Sequence, residues 1–220
     1  MLKLKMLSRA AVMTLMVSLP GVANATVITD GSFESQGAGV SNYCYGAGCP
    51  SGAWTFSALV PGSVGDGIIS QTGSGWGQPI SGANGNYFAF IQINGSFSQT
   101  FTATQTSIDV LSWIDATRSN FGGSNTYTVS VNGTEVGSYN PTSPSFVGET
   151  SALFNVTAGL GYTVTFQGVD PSLADRTSFI DNVSIAAVPE VATWVMMILG
   201  FLGVGFAAYR RQPRSAIGLA

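Results

Sequence analysis

Tyr127-Thr128-Val129-Ser130-Val131-Asn132-Gly133-Thr134-Glu135-Val136 is the stretch whose reading decides the fold. Apolar and hydroxyl residues alternate from 127 to 131, the period of a strand with one buried face. Asn132-Gly133 follows and leads into a second such segment. Asn-Gly accepts the positive φ that both central positions of a type I′ turn require, so the stretch predicts a tight β-hairpin.

The same pattern extends in both directions. Val27–Phe33, Trp54–Leu59, Tyr87–Gln92, Ser96–Thr102, Ser107–Ile114, Ser151–Val156, Tyr162–Gln167 and Ser178–Ile185 read as further short strands, rich in Thr, Val, Phe and Tyr. Gly, Asn, Pro and Ser separate them, and no window between them carries a three-turn amphipathic helix. Two packed antiparallel sheets are the natural way to bury such strands. The Gly-rich stretches 31–52 and 62–85 read as long loops. One all-β domain over residues 26–187 is expected.

Composition narrows the function. Within the domain Arg118 and Arg176 stand against seven Asp and three Glu, a formal net charge of −8, with no Lys and no His. A binder of nucleic acid needs a positive footprint, so that class is excluded. Without His, Ser-His-Asp and Cys-His nucleophilic sites cannot be built. Cys44 and Cys49 are the only cysteines; in an exported chain they are expected to form a disulfide that closes a short Gly-rich loop.

The two ends of the chain predict export. Lys3, Lys5 and Arg9 precede an apolar run from Ala10 to about Val22, and Ala23-Asn24-Ala25 has the small-x-small form of a signal-peptidase site. Residues 1–25 are therefore expected to be a signal peptide cleaved between Ala25 and Thr26. At the other end no charge occurs from Val191 to Tyr209, and Arg210, Arg211 and Arg214 follow. Nineteen helical residues rise roughly 28 Å, close to the hydrocarbon core of a bilayer. A transmembrane helix over 191–209 is expected, with the basic tail cytoplasmic and the domain outside.

Pro189-Glu190, Trp194, the apolar span and Arg210-Arg211 together resemble the C-terminal sorting signal of the PEP-CTERM family, here over 188–214. Val191 stands where that family usually has a second Pro, and Val195 where a small residue is common. The resemblance implies a Gram-negative, exopolysaccharide-producing host. It also implies an exosortase-type membrane protease as partner, inner-membrane anchoring before processing, and then release to the cell surface or extracellular matrix.

Asp30-Gly31-Ser32-Phe33-Glu34 at the start of the domain and Thr177-Ser178-Phe179-Ile180-Asp181-Asn182-Val183-Ser184-Ile185 at its end resemble the bracketing strands of galactose-binding-like jelly rolls. Gly85-Asn86-Tyr87-Phe88 and Gln99-Thr100-Phe101 fit the same group, which includes many carbohydrate-binding modules. The resemblance implies a jelly-roll β-sandwich and a structural calcium site. Its carboxylates would be Glu34 and Asp181, with carbonyl oxygens near Asp30 and Ser32. The alternative is that Glu34 is a surface charge and Asp181 a strand-end cap. It also implies weak, non-catalytic binding of an extracellular polysaccharide. Trp76, in Gly73-Ser-Gly-Trp-Gly77, and Tyr43 and Tyr45 beside the cysteines are the aromatic candidates. Trp76 either faces ligand or is tucked over an end of the sandwich, whereas Trp54 and Trp113 fall in strands and belong to the core. Two other readings stand beside this one: a surface or matrix protein with no ligand, and a glycan-active enzyme using Asp115, Asp170 or Asp175.

Overall fold

The computed structural model describes residues 26–57, 65–72, 76, 80–120, 123–169, 175–188 and 191–210. The signal peptide, Ala25, Asp170, Pro189, Glu190, Arg211 and the Trp194 side chain lie outside the described set.

The chain forms a two-layer antiparallel β-sandwich, the layer arrangement of a jelly roll. Its elements are α1 (Glu34–Gly37), β1 (Tyr43–Tyr45), β2 (Thr55–Phe56), β3 (Asp66–Ser70), β4 (Tyr87–Gln92), β5 (Ser96–Thr102), β6 (Ser107–Thr117), β7 (Tyr127–Val131), β8 (Thr134–Tyr139), β9 (Val147–Thr150), β10 (Phe154–Val156), β11 (Gly161–Gly168), β12 (Thr177–Ala187) and α2 (Val191–Arg210). One sheet runs β1-β3-β4-β12-β6-β10, with β9 also on β6; the second runs β2-β5-β11-β7-β8.

The hairpin that decides the fold forms as expected: β7 pairs antiparallel with β8, and Asn132 and Gly133 have φ of 48° and 78°. Both values are those of a type I′ turn, whose twist suits the flanking strands. Phe33, Trp54, Phe97, Trp113, Tyr127 and Phe166 are buried between the sheets with the inward aliphatic residues of both layers. Trp54 and Trp113 are core residues, as expected.

Four expectations change. Val27–Phe33 is not a strand: it turns at Asp30, whose carboxylate accepts hydrogen bonds from the Ser35 and Gln36 amides at 3.0 and 2.8 Å and so starts α1 instead. Ser151–Val156 is a strand only from Phe154, because the Ala152 amide leaves its own sheet and donates to the Val136 carbonyl of β8 at 2.8 Å. The two Gly-rich stretches hold β1 and β3, and β9 is a further strand the pattern does not announce. Finally, the span expected over 191–209 is helical, but among the described residues no helix is long and apolar enough to cross a membrane.

Antiparallel pairing collects the connections at two ends. The β4–β5 turn, the β6–β7 connection and the β11–β12 connection form the upper end. The β5–β6 connection, the Asn132-Gly133 turn, the β10–β11 turn and the end of β12 form the lower end, where the chain leaves for α2.

Candidate functional site

The outer face of the first sheet is the origin of the site. In β4, Ala89 and Ile91 belong to the core between the sheets, while Phe88 and Phe90 point the other way. Ile69 of β3 and Phe179 of β12 point the same way, and with Trp76, Ile80 and Ala116 they make a second buried cluster on the outside of that sheet. Such two-sided burial is unusual for an antiparallel sheet, which commonly leaves one face to solvent.

β1 carries two tyrosines onto this face. Tyr45 lies opposite Gly67 of β3, and Gly67 lies opposite Phe90. A Cβ at Gly67 would fall 1.9 Å from the Cys44 carbonyl oxygen and 2.9 Å from the Phe90 ring. Its absence lets the Tyr45 ring pack edge-on against Phe90, centroids 5.1 Å apart. Cys44, between the tyrosines, points inward and is bonded to Cys49, as expected. The clip fixes the strand that presents both rings.

Tyr43, Tyr45 and Trp76 come together. Tyr43 is 5.4 Å from Trp76 and 5.5 Å from Tyr45, and Trp76 is 4.9 Å from Phe90, centroid to centroid. The roles differ from those the sequence suggests for Trp76 as a ligand face. Trp76 is only 7% exposed, whereas Tyr43 is 44% exposed. Trp76 is tucked in as a support, and Tyr43 is the ring that faces solvent.

Arg118 and Gln92, which sequence reasoning missed, complete the patch with Asp175, which it weighed only as an enzyme's carboxylate. The Arg118 guanidinium carbon lies 4.5 Å from the centre of the Trp76 ring, a cation–π distance. Arg118 donates from Nη1 to both Asp175 oxygens at 2.9 Å and from Nε to Asn120 at 2.9 Å. Gln92 donates to Asp175 at 2.6 Å and to Thr177 at 2.8 Å, and accepts from the Tyr45 hydroxyl at 3.1 Å. Arg118 is buried while the Asp175 side chain is 43% exposed. Burial, reinforced by the Asp175 charge, raises the Tyr45 hydroxyl to about 12, so it remains a neutral hydrogen-bond donor. The patch thus offers one exposed aromatic face and a half-exposed carboxylate, both held by buried partners. No local pattern links Arg118 to Asp175, 57 residues away; the loop sequence alone pairs Asp175 with its neighbour Arg176.

Glu34 and Asp181 meet at a second place. Glu34 accepts from the amides of Asn86 and Tyr87 at 2.7 Å, and Asp181 accepts from those of Asn84 and Asn182 at 2.6 Å. The two carboxylates therefore clamp the turn that enters β4. Gly85 lies under Glu34, where a Cβ would fall 2.5 Å from the carboxylate. Asp181 is fully buried and pushed up to about 7, chiefly by desolvation and further by the Glu34 charge, against the pull of the two amides. Asp30 is engaged elsewhere: its carboxylate starts α1, and its carbonyl accepts from Trp54 Nε1 at 2.9 Å and from the Phe33 amide at 3.1 Å. Among the described residues no group of three or more His, Cys, Asp or Glu could hold a metal. Asp181 is buried and Glu34 half-buried; their carboxylate oxygens are of the kind calcium takes, with carbonyls and water completing its shell, but both already accept from backbone amides.

Asp115 lies apart from both places. It is buried in the core, accepts from the Tyr127 hydroxyl at 2.6 Å, and Tyr127 in turn accepts from Trp113 Nε1 at 2.7 Å. Burial raises its carboxyl to about 6 against the Tyr127 hydrogen bond, and the Glu149 charge adds to the rise.

Comparison with protein-family models finds no match, and comparison with curated proteins finds none either. Solved structures do share the fold. An apo cyclase from Fischerella sp. matches with TM-score 0.54 at 13% identity, covering 75% of this chain and 96% of its own. A Stig cyclase from the same source, Fisc from Fischerella sp. TAU, matches with TM-score 0.51 at 13% identity, over 75% and 98%. The carbohydrate-binding module TmCBM61, solved with β-1,4-galactotriose, matches with TM-score 0.45 at 14% identity, over 73% and 97%. At these identities the likeness is one of fold.

Proposed function

We propose that this is an exported surface protein whose β-sandwich binds an extracellular polysaccharide without catalysis, through the patch centred on Tyr43. The observation that carries the reading is an exposed Tyr43 ring braced by buried Trp76 and Tyr45, beside the half-exposed carboxylate of Asp175. Flat aromatic area supplies stacking for a sugar ring, and fixed polar groups orient its hydroxyls. A shallow patch of this kind gives weak binding, suited to a repeating polymer that engages many copies at once. A glycan array probed with the full chain in detergent tests it. Saturable binding to at least one glycan, lost in Tyr43→Ala and reduced in Asp175→Asn, is expected. No binding, or binding indifferent to Tyr43, leaves a structural surface protein as the account.

Glu34 and Asp181 would hold a structural calcium ion. The support is their proximity: the charge of half-buried Glu34 adds to the rise of buried Asp181, and two carboxylates so placed call for a countercharge that calcium would supply. Its part would be to fix the turn 84–87, not to touch ligand.

The α2 helix would hold the domain to the inner membrane before processing. Every described side chain of α2 is exposed, including Met196, Phe201, Leu202, Val204 and Phe206 at more than 60%. A helix apolar on all sides and packed against nothing described needs a lipid or protein cover. Signal peptidase and an exosortase-type protease would be its processing partners, the latter acting near Pro189. Intact mass of exported protein decides this: a mature chain from Thr26 that ends before α2 supports it, and one ending at Ala220 contradicts processing.

A further inference from the structure

The lower end of the sandwich is poor in charge and is tied to the start of α2. Two of its turns come from segments 67–108 and 151–169, which contain no charged residue, while the third, Asn132-Gly133, is followed by exposed Glu135. Three large apolar side chains stand exposed there: Ile108 at 41%, Leu153 at 59% and Leu160 at 54%. They belong to neighbouring chain segments. Ile108 lies opposite Asn155 of β10, Leu153 is the residue before β10, and Leu160 ends the turn after it, its carbonyl accepting from Ala103 at 3.0 Å. Single exposed apolar residues need no explanation; their position here does. The Val188 amide donates to the Ile108 carbonyl at 2.8 Å, so the chain leaves the domain at this apolar end. Only residues 189 and 190 separate that anchor point from α2 at Val191. Even fully extended, the link from Val188 to Val191 spans about 10 Å.

We propose that the lower end of the sandwich rests on the bilayer surface, with Ile108, Leu153 and Leu160 seated among the lipid headgroups. This inference rests on the reading of α2 as the membrane-held segment. Given that reading, a link of about 10 Å leaves no room for the domain to stand off or turn over. The Thr, Gln and Asn side chains and the backbone of the lower turns hydrogen-bond to headgroups, exposed Glu135 stays at the watery rim, and the three apolar residues sink a short way toward the acyl chains. β6, which runs the length of the sheet, spans roughly 35 Å. The upper end, with Asp175, therefore faces outward, and Tyr43, level through Ile69 and Phe88 with the upper half of β6, stands clear of the lipid on the outer face of the first sheet.

The test uses the full chain reconstituted in phosphatidylcholine vesicles, with an environment-sensitive fluorophore on one introduced cysteine at a time and no reductant present. The sites are Leu160→Cys at the lower end, Ser119→Cys at the upper end and Phe201→Cys in α2. All three side chains are exposed, so folding is preserved, and melting curves check this. Expected are blue-shifted emission at 160 and 201, at least twofold quenching of 160 by phosphatidylcholine brominated near the headgroup and of 201 by phosphatidylcholine brominated deep in the acyl chain, and neither effect at 119. Quenching at 201 with a water-exposed label at 160 overturns the inference and leaves the anchor reading intact. A water-exposed label at 201 overturns both. A blue shift at 160 that brominated lipid does not quench also overturns it, and assigns the surface to contact between copies of the chain.

Discussion

Tyr43 and Trp76 divide one task between them. Trp76 is held between Arg118, Phe90 and the tyrosines, so Trp76→Ala opens a cavity under the patch and is expected to cost about 3–5 kcal/mol of stability. Tyr43→Ala removes a ring that is half in solvent and should cost about 1 kcal/mol or less. Thermal unfolding of the two variants separates support from contact surface: equal destabilisation would deny the distinction. Asp181 makes a pH prediction. Its folded value of about 7 lies above the ordinary carboxyl value, so the stability it contributes is complete below pH 4 and is lost as pH rises through about 7. With a chelator present, melting temperature should therefore fall between pH 4 and 7, and added calcium should remove most of that fall. Asp115, also raised, slopes the same way, so Asp181→Asn is the control: in chelator it should leave only the part of the fall that Asp115 contributes, and it should abolish the response to calcium. A curve indifferent to calcium at every pH would count against the ion. Tyr127 makes a third prediction. Its hydroxyl serves Trp113 and Asp115 together, and Tyr127→Phe leaves both buried groups short of a partner, a loss of about 2–4 kcal/mol measurable by denaturant titration.

Strands that face solvent on one side could be read from alternation, and β5 and β7 have the bounds that alternation gives them. β4, buried on both faces, was legible only as a short aromatic and aliphatic run bounded by turn residues. β3, Asp66–Ser70, is buried at every position, which erases the period-two signal, and its Gly67 reads as a loop residue until β1 is seen to cross it. β1 and β9 are too short to carry a pattern and exist because longer neighbours template them. The opening segment misled for another reason: Asp30 satisfies two amides of α1, and Phe33 adopts φ 59°, a local hydrogen-bonding choice that apolar spacing does not register. The candidate site was legible in part. Tyr43, Tyr45 and Trp76 stand out as aromatics in Gly-rich sequence; Arg118, Gln92 and Asp175 join them only through sheet order, so no local spacing could have named them. At this scale Gly133 offers a test. Its φ of 78° suits glycine, and Gly133→Val should cost about 1–2 kcal/mol with the rest of the fold unchanged. A neutral substitution would mean that the turn relaxes to another type.

The two ends of the molecule are unlike, and the account depends on that asymmetry. The upper end gathers the Arg118–Asp175 pair, with the exposed tyrosine below it on the outer face of the first sheet; the lower end gathers turns with one exposed charge, Glu135, three exposed apolar residues and the exit to α2. A precursor held by α2 would present the Tyr43 patch away from the lipid, and a net charge of −8 on the domain would keep it from adhering to anionic surfaces without specificity. The measurement closest to the central claim is a titration of the full chain in detergent against a panel of oligosaccharides and the exopolysaccharide of the producing organism, wild type beside Tyr43→Ala and Leu160→Ser. The account predicts saturable binding to at least one glycan, weakened tenfold or more by Tyr43→Ala and unchanged by Leu160→Ser. Binding that survives Tyr43→Ala, or no binding to any member of the panel, would contradict it.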